Sequence, residues 1–316
     1  MFTKLSQLGE FGLIELLKNC RGSGAAVVEG RKPRGVYGHE PYVVHGIGDD
    51  TAVVPLDARR YLLLTTDMLL EGVHFERKAP PRLIGRKALA CSISDIAAMG
   101  GVPRYALVSL GVPGNLSWTF VRDVYQGMDA LARPFGVAIV GGDTIKSTKV
   151  VINIALTGEA GKSDVVYRSG ARAGDQIFVT GPLGKSLSTG WHLKFTPRLK
   201  ESRYLVRHVK PTAMIDISDG LAADLGHILE ESKVGAVLEE NEIPRRAGAN
   251  VRQALYDGED FELLFTVPRR KAAFWGRQKQ FRFYPIGEIV PHAKGLLLKN
   301  KTGALAKIEP RGYTHF

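Results

Sequence analysis

Cysteine is nearly absent from this chain, which carries only Cys20 and Cys91 in 316 residues. The two lie far apart in sequence and match no metal-ligand spacing. A disulfide framework is therefore not expected, and a reducing compartment is. Long apolar runs are missing as well. No stretch approaches the ~20 residues of a membrane span, and the N-terminus lacks a leader pattern. The expected location is the cytoplasm, with no membrane partner. Common nucleotide fingerprints are broken or absent. Gly181-Pro182-Leu183-Gly184-Lys185-Ser186 ends as a phosphate loop ends, but Val179 stands where that loop needs its first glycine. No Gly-x-Gly-x-x-Gly follows a strand-like run. No convincing Ser-His-Asp or Cys-His arrangement and no fixed-period repeat can be found. Lys and Arg outnumber Asp and Glu by 43 to 32, for a net charge of +11. These cations are dispersed and do not interleave with aromatics as a base-stacking platform would, so no nucleic-acid partner is expected. The charge would instead steer a polyphosphate ligand toward the protein.

A chain of this length exceeds most single cores, and two domains are the default. The composition shifts near Gly158–Asp164, which divides the chain into residues 1–160 and 161–316. In the first half the pattern predicts a short amphipathic helix over residues 1–18, then a loop or loose hairpin over 19–42. Strands follow at Thr51–Val54 and Tyr61–Thr66, the second ending in Asp67. A helix is expected over Arg82–Met99 with Ile84, Ala88, Cys91, Asp95 and Ala98 on one stripe. Tyr105–Val112 reads as a strand, and Ser117 as the N-cap of a helix carrying Phe120, Val124, Met128, Leu131 and Phe135. Val137–Val140 reads as a short buried strand and Val150–Gly158 as another. In the second half, strands are expected at 176–180, 215–217, 234–238, 261–267, 285–289 and 295–299. Helices are expected after Ser186, over Leu221–Glu231, near Ala247–Leu255 and over 269–279. Alternation of strands and helices in both halves predicts an α/β or α+β protein.

Carboxylates recur at the ends of apolar runs. Gly46-Ile47-Gly48-Asp49-Asp50 leads into Thr51-Ala52-Val53-Val54. Neighbouring side chains on an extended segment face opposite ways, so Asp49 and Asp50 should not share one task. Taken alone, Gly-Asp-Asp reads more readily as a turn. It gains weight from Asp67, Asp95, Asp143, Asp216 and Asp219, which lie beside apolar runs or on a buried stripe. Acids gather in such places only when a cation offsets their repulsion and desolvation. An oxygen-only donor set, with Thr65 and Thr66 directly before Asp67, suits Mg²⁺. Because Mg²⁺ commonly bridges carboxylates to phosphates, the implied ligand is a nucleotide. A set of unrelated caps and turn residues is the alternative.

Read in order, several motifs resemble the thiamine-monophosphate kinase family, within the aminoimidazole-ribonucleotide-synthetase-like superfamily. They are Gly9-Glu10-Phe11-Gly12-Leu13-Ile14, Gly46 to Asp50, Thr65-Thr66-Asp67 and Gly72-Val73-His74-Phe75. Further along come Ser94-Asp95-Ile96-Ala97-Ala98-Met99-Gly100, Gly141-Gly142-Asp143-Thr144, Arg168-Ser169-Gly170, Asp216-Ile217-Ser218-Asp219-Gly220, Gly258 to Leu263, and Gly312 to Phe316. The resemblance implies transfer of the ATP γ-phosphate to thiamine monophosphate on several Mg²⁺ ions. The metal ligands it implies are Asp50, Thr65, Thr66, Asp67, Asp95, Asp143, Asp216 and Asp219, with Asp67, Asp95, Asp143 and Asp219 closest to the chemistry. Gly142, Asp143, Arg168 and Ser218 would meet ATP, and His74, Glu259 and Tyr313 the thiamine phosphate. The implied fold is two α/β domains with the site in the cleft between them and the N-terminal domains pairing as a dimer barrel. Three departures stand out: a long basic stretch over 21–42, a short connection from Lys210-Pro211 to Ile215 that lacks the usual helix, and Asp257 in place of a glycine. The alternatives are a sister ATP-dependent synthetase making aminoimidazole ribonucleotide or selenophosphate, and a basic nucleic-acid-binding protein. Cys20-Arg21-Gly22-Ser23-Gly24 is only a faint echo of the selenophosphate loop.

Overall fold

The computed structural model describes residues 12–14, 16, 43–272 and 280–315. The expected loop over 19–42 and the second half of the helix over 269–279 lie outside the described residues. Residues 12–14 and 16 are helical, as the amphipathic pattern there requires.

Two sheets organise the fold. The first contains β1 (Ala52–Pro55), β2 (Arg60–Leu70), β3 (Val102–Val112), β4 (Ala138–Lys146) and β5 (Val151–Gly161), in the order β1-β2-β5-β3-β4. Its neighbours are antiparallel except for β3 and β4, which run parallel. That parallel pair needs a crossover, supplied by helix α2 (Trp118–Phe135). Ser117 caps α2 by accepting from Phe120 N–H, as its position predicts. Helix α1 (Pro81–Ala98) joins α2 on one face of this sheet. Burial strictly alternates along β5, so Ile152, Ile154 and Leu156 face the helices. The other face carries Leu64, Met68, Tyr105, Leu107 and Ile145 with large exposed surfaces.

The second sheet runs β12-β11-β8-β10-β6-β9-β7. It contains β6 (Asp175–Val179), β7 (Ala213–Asp216), β8 (Val234–Glu239), β9 (Leu263–Pro268), β10 (Tyr284–Pro291), β11 (Leu296–Lys299) and β12 (Leu305–Lys307). Residues 263–267 of β9 are all buried, because packed layers lie on both its faces. On one face Leu264 and Ile215 meet α5 (Leu221–Ser232); on the other Phe265 and Met214 meet α4 (Leu199–His208). Pairing in this sheet is antiparallel except between β8 and β11.

Helix α1 lies between the two units, packed on β2 and β5 on one side and on β7 and α4 on the other. Thirteen of its 18 residues are buried, so the one-sided stripe understates its burial. Ser202 Oγ donates to Ala97 O, and Arg203 Nη1 to Gly100 O, fastening α4 to the end of α1.

Three expectations are corrected. Strand β2 continues three residues past Asp67, because β5 pairs with it along its whole length. Strand β4 is an exposed edge that contains Gly141 to Thr144; the apolar run alone could not show that, among the described residues, only β3 would pair with it. After Ser186 only the four-residue helix α3 (Ser186–Thr189) forms before Gly190 adopts a left-handed backbone. The connection from Lys210 to Ile215 holds no helix, as expected; α4 ends before it at His208.

Candidate active site

Loop, strand and helix bring acids to one place beside α1. Asp50 precedes β1, Asp95 sits in the last turn of α1, and Asp216 ends β7. One carboxylate oxygen from each lies within 4.8 Å of the other two. Asp67, on the helix-facing side of β2, accepts from Ser92 Oγ at 2.6 Å and shares a hydrogen bond with Asp95. Thr65, two residues away on the same face, donates to Asp95 at 2.5 Å. Ser94 donates to Asp216 at 2.5 Å.

The electrostatics of this group are unfavourable in isolation. Burial, and then the neighbouring charges of Asp67, Asp216 and Asp50, hold the Asp95 carboxyl far above its ordinary value. Burial and Asp50 push Asp216 up to about 8. Asp49 reaches about 7 through burial and the Asp50 charge. Arg168 is the offsetting cation: its Nη2 meets Asp50 Oδ1 at 2.5 Å, and its backbone N–H donates to Asp49 at 3.1 Å. Among the described residues, none offers a hydrogen-bond partner to the buried Asp50 Oδ2. Converging carboxylates that resist ionisation, with one oxygen orphaned, fit a divalent cation.

A second cluster lies where α1 meets the loop before β9. Lys87 Nζ donates to His74 O and to both carboxylate oxygens of Glu259, each at 2.6 Å. His74 Nδ1 accepts from Leu70 N–H at 2.9 Å, so the neutral ring carries its proton on Nε2. The His74 ring lies 5.1 Å from that of His315, which meets Tyr313 edge-on at 5.0 Å. Tyr313 N–H donates to Asp219 O at 3.0 Å. A Cβ at Gly312 would fall 2.1 Å from Asp219 O, so only glycine permits this docking.

Not every expected residue joins these groups. The Thr66 side chain projects to the uncovered face and donates to Asn153. Asp143 is on that face too, opposite Ser109 on edge strand β4. With β5 and β3 between them, β4 is about 14 Å from β2 at ~4.8 Å per strand. Gly142 has φ 153°, and a Cβ there would sit 1.8 Å from Val108 O. Asp219 clusters with Asp224 and His227 rather than with Asp50. Ser218 accepts from Glu259 N–H at 2.6 Å through its carbonyl. Sequence reasoning missed Lys87, Asp224 and a cavity of about 800 Å³ between α2 and β3–β4, lined by Leu110, Trp118, Tyr125, Ile139 and Thr144. A signal for Lys87 existed: position 87 lies on the same buried stripe as Ile84 and Cys91.

Residues 48–160 match the family model described as AIR synthase related protein, N-terminal domain. The thiamine-monophosphate kinase of Aquifex aeolicus is 35% identical over 343 residues, covering 99% of this chain and all of that protein. The chain belongs to the thiamine-monophosphate kinase family. The family enzyme of Bacillus subtilis is 33% identical over 88% of this chain and 95% of its own. A solved structure of AaThiL complexed with AMPPCP and TMP superposes with a TM-score of 0.83 at 33% identity, covering 100% of both chains. The kinase family resemblance thus extends over the whole chain, both sheets included. Among the described residues, no helix is long and apolar enough to cross a membrane.

Proposed function

We propose that this kinase transfers the γ-phosphate of ATP to thiamine monophosphate, giving thiamine diphosphate and ADP. The convergence of Asp50, Asp95 and Asp216, within a family of that name, carries the reading. Mg²⁺ held by these acids, with Asp67 beside them, would supply the positive charge that phosphoryl transfer needs. Arg168 and the backbone around Gly142 and Ser218 are assigned to ATP. The adenine is assigned to the cavity beside Thr144, where Tyr125 and Trp118 offer aromatic faces.

His74, Glu259 and Tyr313 are assigned to the acceptor. The Nδ1 lone pair of His74 is occupied by Leu70 N–H, leaving Nε2–H as a donor to phosphate rather than as a nucleophile. The buried acids resist ionisation unless a cation is near, which makes them poor nucleophiles too. Both features favour direct in-line transfer, in which the protein positions the two reactants.

The exposed apolar face of the first sheet supports a homodimer built on it. Asp143 and Thr66 share that face, so Asp143 is assigned to the site of a second copy. The domains are drawn as 1–160 and 161–316, with the site in the cleft that α1 spans. The cytoplasm, where ATP is plentiful, suits such an enzyme. The test is an assay with ATP, Mg²⁺ and thiamine monophosphate, with free thiamine as control acceptor. Thiamine monophosphate should be consumed and thiamine should not; efficient pyrophosphate transfer to thiamine would overturn the assignment.

A further inference from the structure

Among the described residues, Lys87 is one of the largest fully buried side chains, at 1% exposure. Its neighbours on α1, Ile84, Ala88 and Cys91, are buried and apolar. An uncharged side chain of equal length would fill this place without any ammonium to desolvate. The ammonium is instead fully satisfied, by His74 O from the first unit and both Glu259 oxygens from the second.

Both partners are held firmly by other bonds. His74 N–H donates to Leu70 O, and its ring is anchored by Leu70 N–H. Glu259 has a left-handed backbone at φ 64°, a costly conformation for glutamate. Its N–H donates to Ser218 O, and its own carbonyl accepts from Ser186 Oγ at 2.5 Å. Asp260, next in the chain, is clamped by Arg246 and Gly184 N–H. With the backbones fixed, the Lys87 ammonium settles where the Glu259 carboxylate lies. What remains to meet a ligand is the outer lone pairs of Glu259 and the Nε2–H of His74.

We infer that Lys87 is a positioning residue: it presets the two arms of the acceptor pocket, the Glu259 carboxylate and the His74 ring, in the geometry and charge state that receive the substrate. This rests on the reading of His74 and Glu259 as acceptor-binding residues. Among the described residues, the groups facing His74 are Lys87 from α1, with Glu259 behind that ammonium, and His315 with Tyr313 from the C-terminal segment; the Glu71–Arg77 pair flanks the same turn of chain. Burial first, then Lys87, then His315 hold the His74 imidazole down at about 4. Lys87 therefore helps to keep it a neutral donor at working pH.

The test compares Lys87→Met, Glu259→Gln and the double variant in the full chain. Thermal melting is followed alongside, and His74 is titrated by NMR with labelled histidine. Lys87→Met should raise KM for thiamine monophosphate by about tenfold or more while KM for ATP stays within about twofold. The His74 pKa should rise in the same variant, because one positive charge beside it is gone while its burial remains; the split between the two KM values is the readout that a purely structural staple would not move. The double variant should be more stable than Lys87→Met, because a lone buried charge costs more than a neutral pair. If Lys87→Met does not fold, the double variant must show the raised His74 pKa. A folded Lys87→Met with unchanged KM and unchanged His74 titration overturns the inference, provided Glu259→Gln raises KM. If Glu259→Gln also leaves KM unchanged, the acceptor-site reading falls and takes the inference with it.

Discussion

Asp216→Asn should make the metal-free protein more stable at alkaline pH while destroying its activity. Burial and the charge of Asp50 hold the Asp216 carboxyl at about 8, against an ordinary value of 3.8. Between those values the folded chain keeps a proton that the unfolded chain has released. Stability without metal must therefore fall as pH rises. From pH 5 to pH 8 the loss from this one group is about 3–4 kcal/mol, using ~1.36 kcal/mol per unit of fully differing protonation. For a chain of 316 residues that is about 5 °C in Tm, from an unfolding entropy of ~2.1 cal/mol/K per residue. Asparagine keeps the shape and cannot ionise, so its curve should lack that portion of the fall. Mg²⁺ should raise the wild-type Tm more at pH 8 than at pH 5, because a cation and a proton compete for the same oxygens. Calorimetry in EDTA and in Mg²⁺, from pH 5 to pH 8, measures each quantity. A wild-type Tm that is flat or rises with pH in EDTA would refute the reasoning. So would a variant whose Tm falls as steeply as the wild type.

Asp67→Asn and Asp143→Asn should each abolish turnover without unfolding the protein. Mixing the two inactive variants, with subunit exchange, should restore about a quarter of wild-type activity if one copy's Asp143 completes the other's site; no recovery would place both residues in one chain's site. Lys185→Ala should change kcat and KM little, because Lys185 belongs to a turn whose backbone N–H is bound by Asp257 rather than to a phosphate loop; loss of ATP binding would contradict this. Enzyme incubated with γ-labelled ATP and Mg²⁺ but no acceptor should carry no label after quenching. Stoichiometric label on His74 or an aspartate, chased into product, would exclude direct transfer.

Local rules made much of this molecule legible in its sequence. The Ser117 cap and the 3.6-residue stripe of α2 place that helix, and alternation places β5, because each depends on neighbours in the chain. The chain order of Gly-Asp-Asp, Thr-Thr-Asp and Asp-Ile-Ser-Asp-Gly pointed to a cation and phosphate site for the same reason: acids beside apolar runs need a partner wherever the chain goes. Which acids meet was decided by tertiary structure. Thr65 and Thr66 are adjacent, but the pleat sends one to α1 and the other to the uncovered face. Asp143 resembles the other acids in sequence, yet strand order places β4 three spacings from β2. Asp219 turns toward Asp224 and His227 because α5 begins at once and its first turn draws Asp224 back onto the Asp219 and Gly220 N–H groups. Lys87 stayed hidden because a lysine on an apolar stripe declares its burial but not its partner. Glu259 reaches it from a distant loop, and only the packing of the two sheets against α1 joins them. Long-range contacts of this kind depend on loop closure and sheet order, which no local pattern encodes.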